Sequence, residues 1–163
     1  MEILDYAMKM ETDGERFYRD AASKISDVGL SHILTMLAGE EKKHFTVLEK
    51  LKTEGNASVE EGALTTDVKN VFEQLQESDT RPSADDSQLD LYAKAREIEE
   101  ESRRFYLEKA DESGSPEAKA VFLKIAEEEK THYQMLDTIV EFVARPEPGN
   151  WLENAEWYHT DEY

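Results

Sequence analysis

At 163 residues, with 38 Asp and Glu against 19 Lys and Arg, the chain is long enough for one domain with a real core and carries a formal net charge of −19. That charge repels nucleic acid and anionic membrane surfaces, so neither is expected as a partner. The absence of Cys excludes disulfides, thiolate metal sites and iron–sulfur clusters. No apolar run approaches the length of a membrane span, and Met1-Glu2-Ile3-Leu4-Asp5-Tyr6 lacks the basic start and apolar centre of a signal peptide, so the expected location is the cytoplasm.

The elements read as helices. Ile3, Ala7, Met10, Gly14, Phe17, Ala21 and Ile25 fall at a helical period and predict a first helix over about 3–25. Ser26-Asp27-Val28-Gly29 interrupts it. Ser31 stands where a cap belongs, and Ile33, Leu34, Leu37, His44, Leu48 and Leu51 supply the stripe of a second helix, closed by Gly55-Asn56-Ala57-Ser58. A connector over 53–88 holds a short helix at about 66–76, with Val68, Val71, Phe72 and Leu75 on one side, and then a loop over 79–86. Another long helix is predicted over about 87–111, with Leu91, Tyr92, Ala95, Ile98, Ser102, Phe105 and Tyr106 inward. Ser115 then caps, and Pro116 opens, a final long helix reaching about Val143. Short links within each pair and a long connector between them predict an all-α four-helix bundle with one crossover, over residues 1–143. In the C-terminal extension, 144–163, Pro146 and Pro148 stop the helix. Trp151, Leu152, Ala155, Trp157 and Tyr158 then form an apolar set expected to dock on the bundle or on a second subunit, as a homodimer.

Within this frame the chain repeats itself. Glu41-Lys42-Lys43-His44 returns as Glu129-Lys130-Thr131-His132, and Glu11 returns as Glu99, all at one offset of 88 residues. Arg16-Phe17-Tyr18 matches Arg104-Phe105-Tyr106 at the same offset, and Ala38, Glu40 and Leu48 match Ala126, Glu128 and Leu136. The repeat unit is therefore a helix pair giving one carboxylate from its first helix and a Glu-x-x-His from its second. The residues three, four and seven positions away from each of these Glu are mostly apolar or small, which turns all four carboxylates inward. Burying four carboxylates together is prohibitive without compensating cations. Glu11, Glu41, His44, Glu99, Glu129 and His132 are thus the candidate ligands, enough to hold two metal ions.

Other residues receive plainer readings. His32 and His159 have no partner in the repeat and are expected at the surface or in the tail. Glu40 and Glu128 are turned about 100° from the ligand face and are expected toward solvent, as are Glu15, Glu97, Glu100 and Glu101. For Tyr18 and Tyr106, core packing with a satisfied hydroxyl is expected ahead of a bond to a ligand carboxylate or electron transfer.

The set Glu11, Glu41-x-x-His44, Glu99 and Glu129-x-x-His132 resembles the dinuclear iron site of the ferritin-like superfamily and, within it, of the rubrerythrin family, over about Met1 to Val143. The resemblance implies that Glu41 and Glu129 bridge two irons, that Glu11 and Glu99 are terminal carboxylates, and that His44 and His132 bind one iron each. Rubrerythrins usually carry a four-Cys rubredoxin module, so a chain without Cys is expected to draw electrons from an external carrier such as rubredoxin. They also place a further carboxylate one turn before the third-helix ligand. Here that residue is Arg96, with Met8 its counterpart on the first helix, which leaves the iron movement of their peroxide chemistry without its ligand. The expected function is a dinuclear iron oxidoreductase that reduces hydrogen peroxide or O2. A ferroxidase or iron-handling protein, and a non-enzymatic bundle carrying zinc or manganese, are the alternatives.

Overall fold

The computed structural model describes residues 2–78, 82, 84–144 and 156–159. Their elements are α1 (Glu2–Lys24), α2 (Val28–Glu54), α3 (Leu64–Glu77), α4 (Asp86–Glu112), α5 (Pro116–Ala144) and a 3-10 turn over Glu156–His159. No strand occurs among the described residues. α1 with α2, and α4 with α5, form two antiparallel hairpins; the segment carrying α3 joins them, making a ferritin-like four-helix bundle.

Local chemistry sets the helix ends. The Asp27 side chain caps α2 by accepting from the Leu30 amide at 2.9 Å, an interaction worth about 1 kcal/mol. Ser31, expected as the cap, lies one turn inside the helix instead. Its hydroxyl donates to the Ala22 carbonyl at 2.8 Å and pins the tight α1–α2 link. Gly55, at φ +75°, ends α2 in the left-handed conformation that glycine adopts without penalty. Asp85 and Gln88 close a reciprocal capping box on α4. Ser115 caps α5 by accepting from the Ala118 amide at 3.2 Å, with Pro116 at the first helical position.

The inward face of α1 is the expected one at Ala7, Gly14 and Ala21, and at Ile25 just beyond it, with Glu11 and Tyr18 turned inward as well, and it differs at Ile3, Met10 and Phe17. Leu4, Ala7, Glu11, Gly14, Tyr18 and Ala21 are buried, whereas Ile3 is 38% exposed and Met10 and Phe17 are only half-buried. Small residues at Ala7, Gly14 and Ala21 let α2 approach closely, and that approach decides the seam. On α4, likewise, Leu91, Ile98 and Phe105 are half-buried beside the fully buried Tyr92, Ala95, Glu99, Ser102 and Tyr106.

The core has two apolar ends and a polar middle. One end collects Leu4 and Ala7 of α1, Leu48 and Leu51 of α2, Tyr106 of α4 and Phe122 and Ile125 of α5. The other gathers Tyr18, Ile33, Leu37, Tyr92, Ile139 and Phe142, together with Val68 and Phe72 of α3. Each of the four long helices crosses from one cluster to the other and, halfway along, exchanges apolar side chains for Glu or Glu and His. The tail contributes to the second cluster. Trp157 is fully buried, packs against Phe72 with ring centroids 5.7 Å apart and planes tilted by 50°, and donates its indole N–H to Thr138 Oγ1 at 2.7 Å. Tyr158 donates its hydroxyl to Glu73 at 2.5 Å. These contacts lie on α3 and α5 of the same chain. Trp151, Leu152 and Ala155 fall outside the described residues.

Candidate metal centre

The polar layer between the two clusters consists of the six residues singled out by the repeat. Glu11 comes from α1, Glu41 and His44 from α2, Glu99 from α4, and Glu129 and His132 from α5. None is more than 3% exposed. They form two overlapping groups whose ligand atoms all lie within 4.8 Å of one another: Glu11, Glu41, His44 and Glu129 in one, and Glu41, Glu99, Glu129 and His132 in the other. Glu41 and Glu129 belong to both. The two imidazoles face each other nearly parallel, with centroids 6.0 Å apart and planes 15° apart. His44 Nδ1 lies 3.5 Å from Glu11 and 3.2 Å from Glu129, and His132 Nδ1 lies 3.4 Å from Glu99 and 3.9 Å from Glu41.

These atoms fit a pair of cations and little else. Seven buried side-chain polar atoms among the described residues have no hydrogen-bond partner, and all seven belong to this set: Glu11 Oε2, Glu41 Oε1, His44 Nδ1, Glu99 Oε2, both oxygens of Glu129, and His132 Nδ1. At about 1–3 kcal/mol for each unsatisfied buried group, such a cluster consumes most of the roughly 5–15 kcal/mol by which a domain is stable. Two divalent ions would match the formal charge of four carboxylates and take up those lone pairs. Four carboxylates, two imidazoles and no sulfur form a donor set suited to iron, manganese or zinc rather than to a soft ion.

In the protein alone, carboxylates and imidazoles compensate one another through protons. Burial, then the charges of Glu11, Glu129 and Glu99, push the Glu41 carboxyl well above the usual range. Burial and Glu129 raise Glu99 to about 7, against the pull of His132. For the imidazoles burial acts downward but is outweighed. Glu11 foremost holds His44 well above its ordinary value, and Glu99 and Glu129 bring His132 up to about 9. Glu11 moves the opposite way. Burial raises it, yet the close approach of Glu41, the nearby His44 charge and the hydroxyl of Tyr106 bring it below the ordinary value.

Around the six stands a layer that sequence reasoning only half saw. Tyr18 of α1 donates to Glu99 of α4 at 2.6 Å, and Tyr106 of α4 donates to Glu11 of α1 at 2.7 Å. Both tyrosines are buried in the core, as expected, but their hydroxyls bond to the candidate ligands themselves, the reading that the sequence places second. Burial and those carboxylates hold both phenols well above their ordinary range, so each remains a donor. Glu40 and Glu128 correct the sequence reading. Neither lies in solvent; both side chains are 16% exposed and turned to the outer edge of a histidine in the other hairpin. Glu128 Oε1 is 2.7 Å from His44 Nε2, and Glu40 Oε1 is 4.0 Å from His132 Nε2. Their recurrence at the ligands' own offset was the signal that could have found them. His32 is exposed, as expected. Gly14 is a further residue missed: a Cβ there would sit 3.0 Å from Glu41 Oε2.

The rubrerythrin family model matches residues 2–140, which include all six. The chain belongs to the rubrerythrin family. This is a ferritin-like diiron family, consistent with the paired groups above. A hypothetical protein from Pyrococcus furiosus has a similar structure, with a TM-score of 0.68 and 26% identity over 91% of this chain and 92% of that one. No curated protein matches the sequence. Unlike the family pattern, Arg96 occupies the place of the extra third-helix carboxylate, and it is tied to Asp137 of α5 at 2.6 Å. No helix among the described residues is long and apolar enough to cross a membrane.

Proposed function

We propose that this rubrerythrin-family chain is a dinuclear iron oxidoreductase that reduces hydrogen peroxide or O2 with electrons from an external carrier such as rubredoxin. The observation that carries the proposal is the coincidence of the seven unpartnered buried atoms with the six duplicated ligands. Glu11 and His44 would hold one ion, Glu99 and His132 the other, and Glu41 and Glu129 would be shared between them. When bound, two neighbouring irons would supply the two electrons that, together with two protons from solvent, convert hydrogen peroxide to two waters.

The rest falls to the protein. The hydroxyls of Tyr18 and Tyr106 fix Glu99 and Glu11 from across the bundle, and Glu128 holds the outer nitrogen of His44 so that Nδ1 faces the ligand layer. The apolar clusters on either side keep the layer dry and strengthen its electrostatics. Oxidation of ferrous iron as a substrate is the second reading, favoured by the absence of a seventh carboxylate at Arg96. Zinc or manganese would fit the same donors as substitutes.

The experiment is metal analysis of protein purified without oxygen, followed by rapid mixing of the diferrous form with peroxide or O2. Two irons per chain and turnover with peroxide and a reduced carrier are expected. Accumulation of a ferric mineral would select iron handling, and a redox-silent zinc site would overturn the oxidoreductase.

A further inference from the structure

The two halves of the centre repeat the same ligand residues but differ in their surroundings. His44 has its outer nitrogen covered by Glu128 at 2.7 Å. His132, 1% exposed, has its own Nε2 4.0 Å from Glu40 and bonded to nothing among the described residues. That edge of His132 lines a cavity of about 460 Å³ between α2, α5 and the start of α3. Glu40 and Glu128 stand on the cavity's inner wall, with Glu61, Glu127 and Lys124 among its other lining residues. Lys124 clasps Glu61 at 2.8 Å and reaches Glu127 at 3.9 Å. The Lys43 ammonium group lies behind Gly62, itself one of the lining residues. Four carboxylates against two ammonium groups leave the passage negative. At about 30 Å³ per water its volume holds on the order of fifteen waters, more than the shell of a hexahydrated ion.

We propose that this cavity is the port through which hydrated divalent cations reach and leave the centre, and that the His132 half is consequently the exchanging half while the His44 half is locked. The inference rests on the proposed metal centre and adds its polarity and its route. A negative, polar passage concentrates cations and disfavours anions. A carboxylate bound to the outer imidazole nitrogen raises the affinity of the inner one for a metal, an effect worth 10–100-fold, and only His44 has such a partner in bonding range.

Zinc is the probe, with release to a chromophoric chelator and uptake both followed by stopped flow. Wild-type protein should bind two ions and release them in two phases of equal amplitude, at least tenfold apart. The E128A variant should speed the slow phase by roughly 10–100-fold. Glu61 and Glu127 are well exposed and are not candidate ligands, so E61Q/E127Q should fold normally and still bind two ions. Its uptake should be about 3–10-fold slower at low salt, a difference that high salt erases. Removal of the Lys124 charge in K124A should speed uptake. Two zinc ions released in a single phase, or E61Q/E127Q filling at the wild-type rate, overturns the port while leaving the centre intact. A wild-type chain that binds no zinc, manganese or iron overturns the centre itself.

Discussion

Stripping the metal should leave a protein that weakens as the solution becomes more alkaline, opposite to the loaded form. Glu99 titrates near 7 in the folded chain against an ordinary 4.5, so between those values the native state keeps a proton that the unfolded chain has lost. His132, near 9 against 6.5, behaves alike: its stabilising proton is fully present below 6.5 and is lost as pH rises through 9. Each shift of about 2.5 units corresponds to about 3 kcal/mol. The two groups approach within 3.4 Å and hold each other's protons, so the combined loss lies below the simple sum, at roughly 3–6 kcal/mol between pH 5 and 9. Glu41 and His44 shift in the same direction, whereas Glu11 is depressed and acts only below the window. Surface carboxylates are already ionised at pH 5, which leaves general charge repulsion almost constant across it. In urea titrations of chelator-treated protein the midpoint should fall by roughly 1.5–3 M from pH 5 to 9, for a slope of about 2 kcal/mol per molar. Metal-loaded protein should gain stability over the same range, because protons compete with the ions for the ligands. The metal-free E99Q variant should lose at least half of the slope, because Glu99 is also the foremost charge raising His132. A metal-free midpoint that is flat or rises with pH, or an unchanged slope in E99Q, would refute the reasoning.

Four further outcomes can be measured. E129A removes a carboxylate common to both groups and should take binding from two ions to at most one, while Y106F should keep two with affinity lowered within about tenfold; equal losses by elemental analysis would show the ligands misassigned. G14A puts a methyl 3.0 Å from Glu41 Oε2 on an otherwise helix-favouring change, so metal titration should weaken while the metal-free protein melts no lower, gaining up to about 1 kcal/mol from propensity; unchanged affinity would contradict a tight fit there. W157A empties a buried site between α3 and α5 and should cost about 3–5 kcal/mol. Removing residues 146–163 tests, by mass in solution, whether the tail also pairs subunits. An unchanged dimer excludes that role, and a monomeric full-length protein excludes the proposed homodimer.

Much of this molecule is legible before folding because its decisive information is local and duplicated. Helical period alone turns Glu41, His44, Glu129 and His132 onto inward faces, and repetition at one offset separates them from the many acids on the surface. Ser115 and Gly55 mark helix ends through bonds to neighbours a few residues away. What tertiary structure alone decided is which half of the repeat serves the other. Tyr18 bonds to Glu99 rather than to its own pair's Glu11, Glu128 reaches His44, and Glu40 stops short of His132, all between residues more than eighty positions apart. Ser31 lost the cap to Asp27, and Leu4 rather than Ile3 is buried at the start of α1, because the close packing of α1 on α2 outweighed the local pattern there. A sequence repeat specifies two equal halves. Only the packing of one hairpin on the other, with the α3 segment laid along one side, makes them unequal, because a cavity is a property of the space between elements and of no single one.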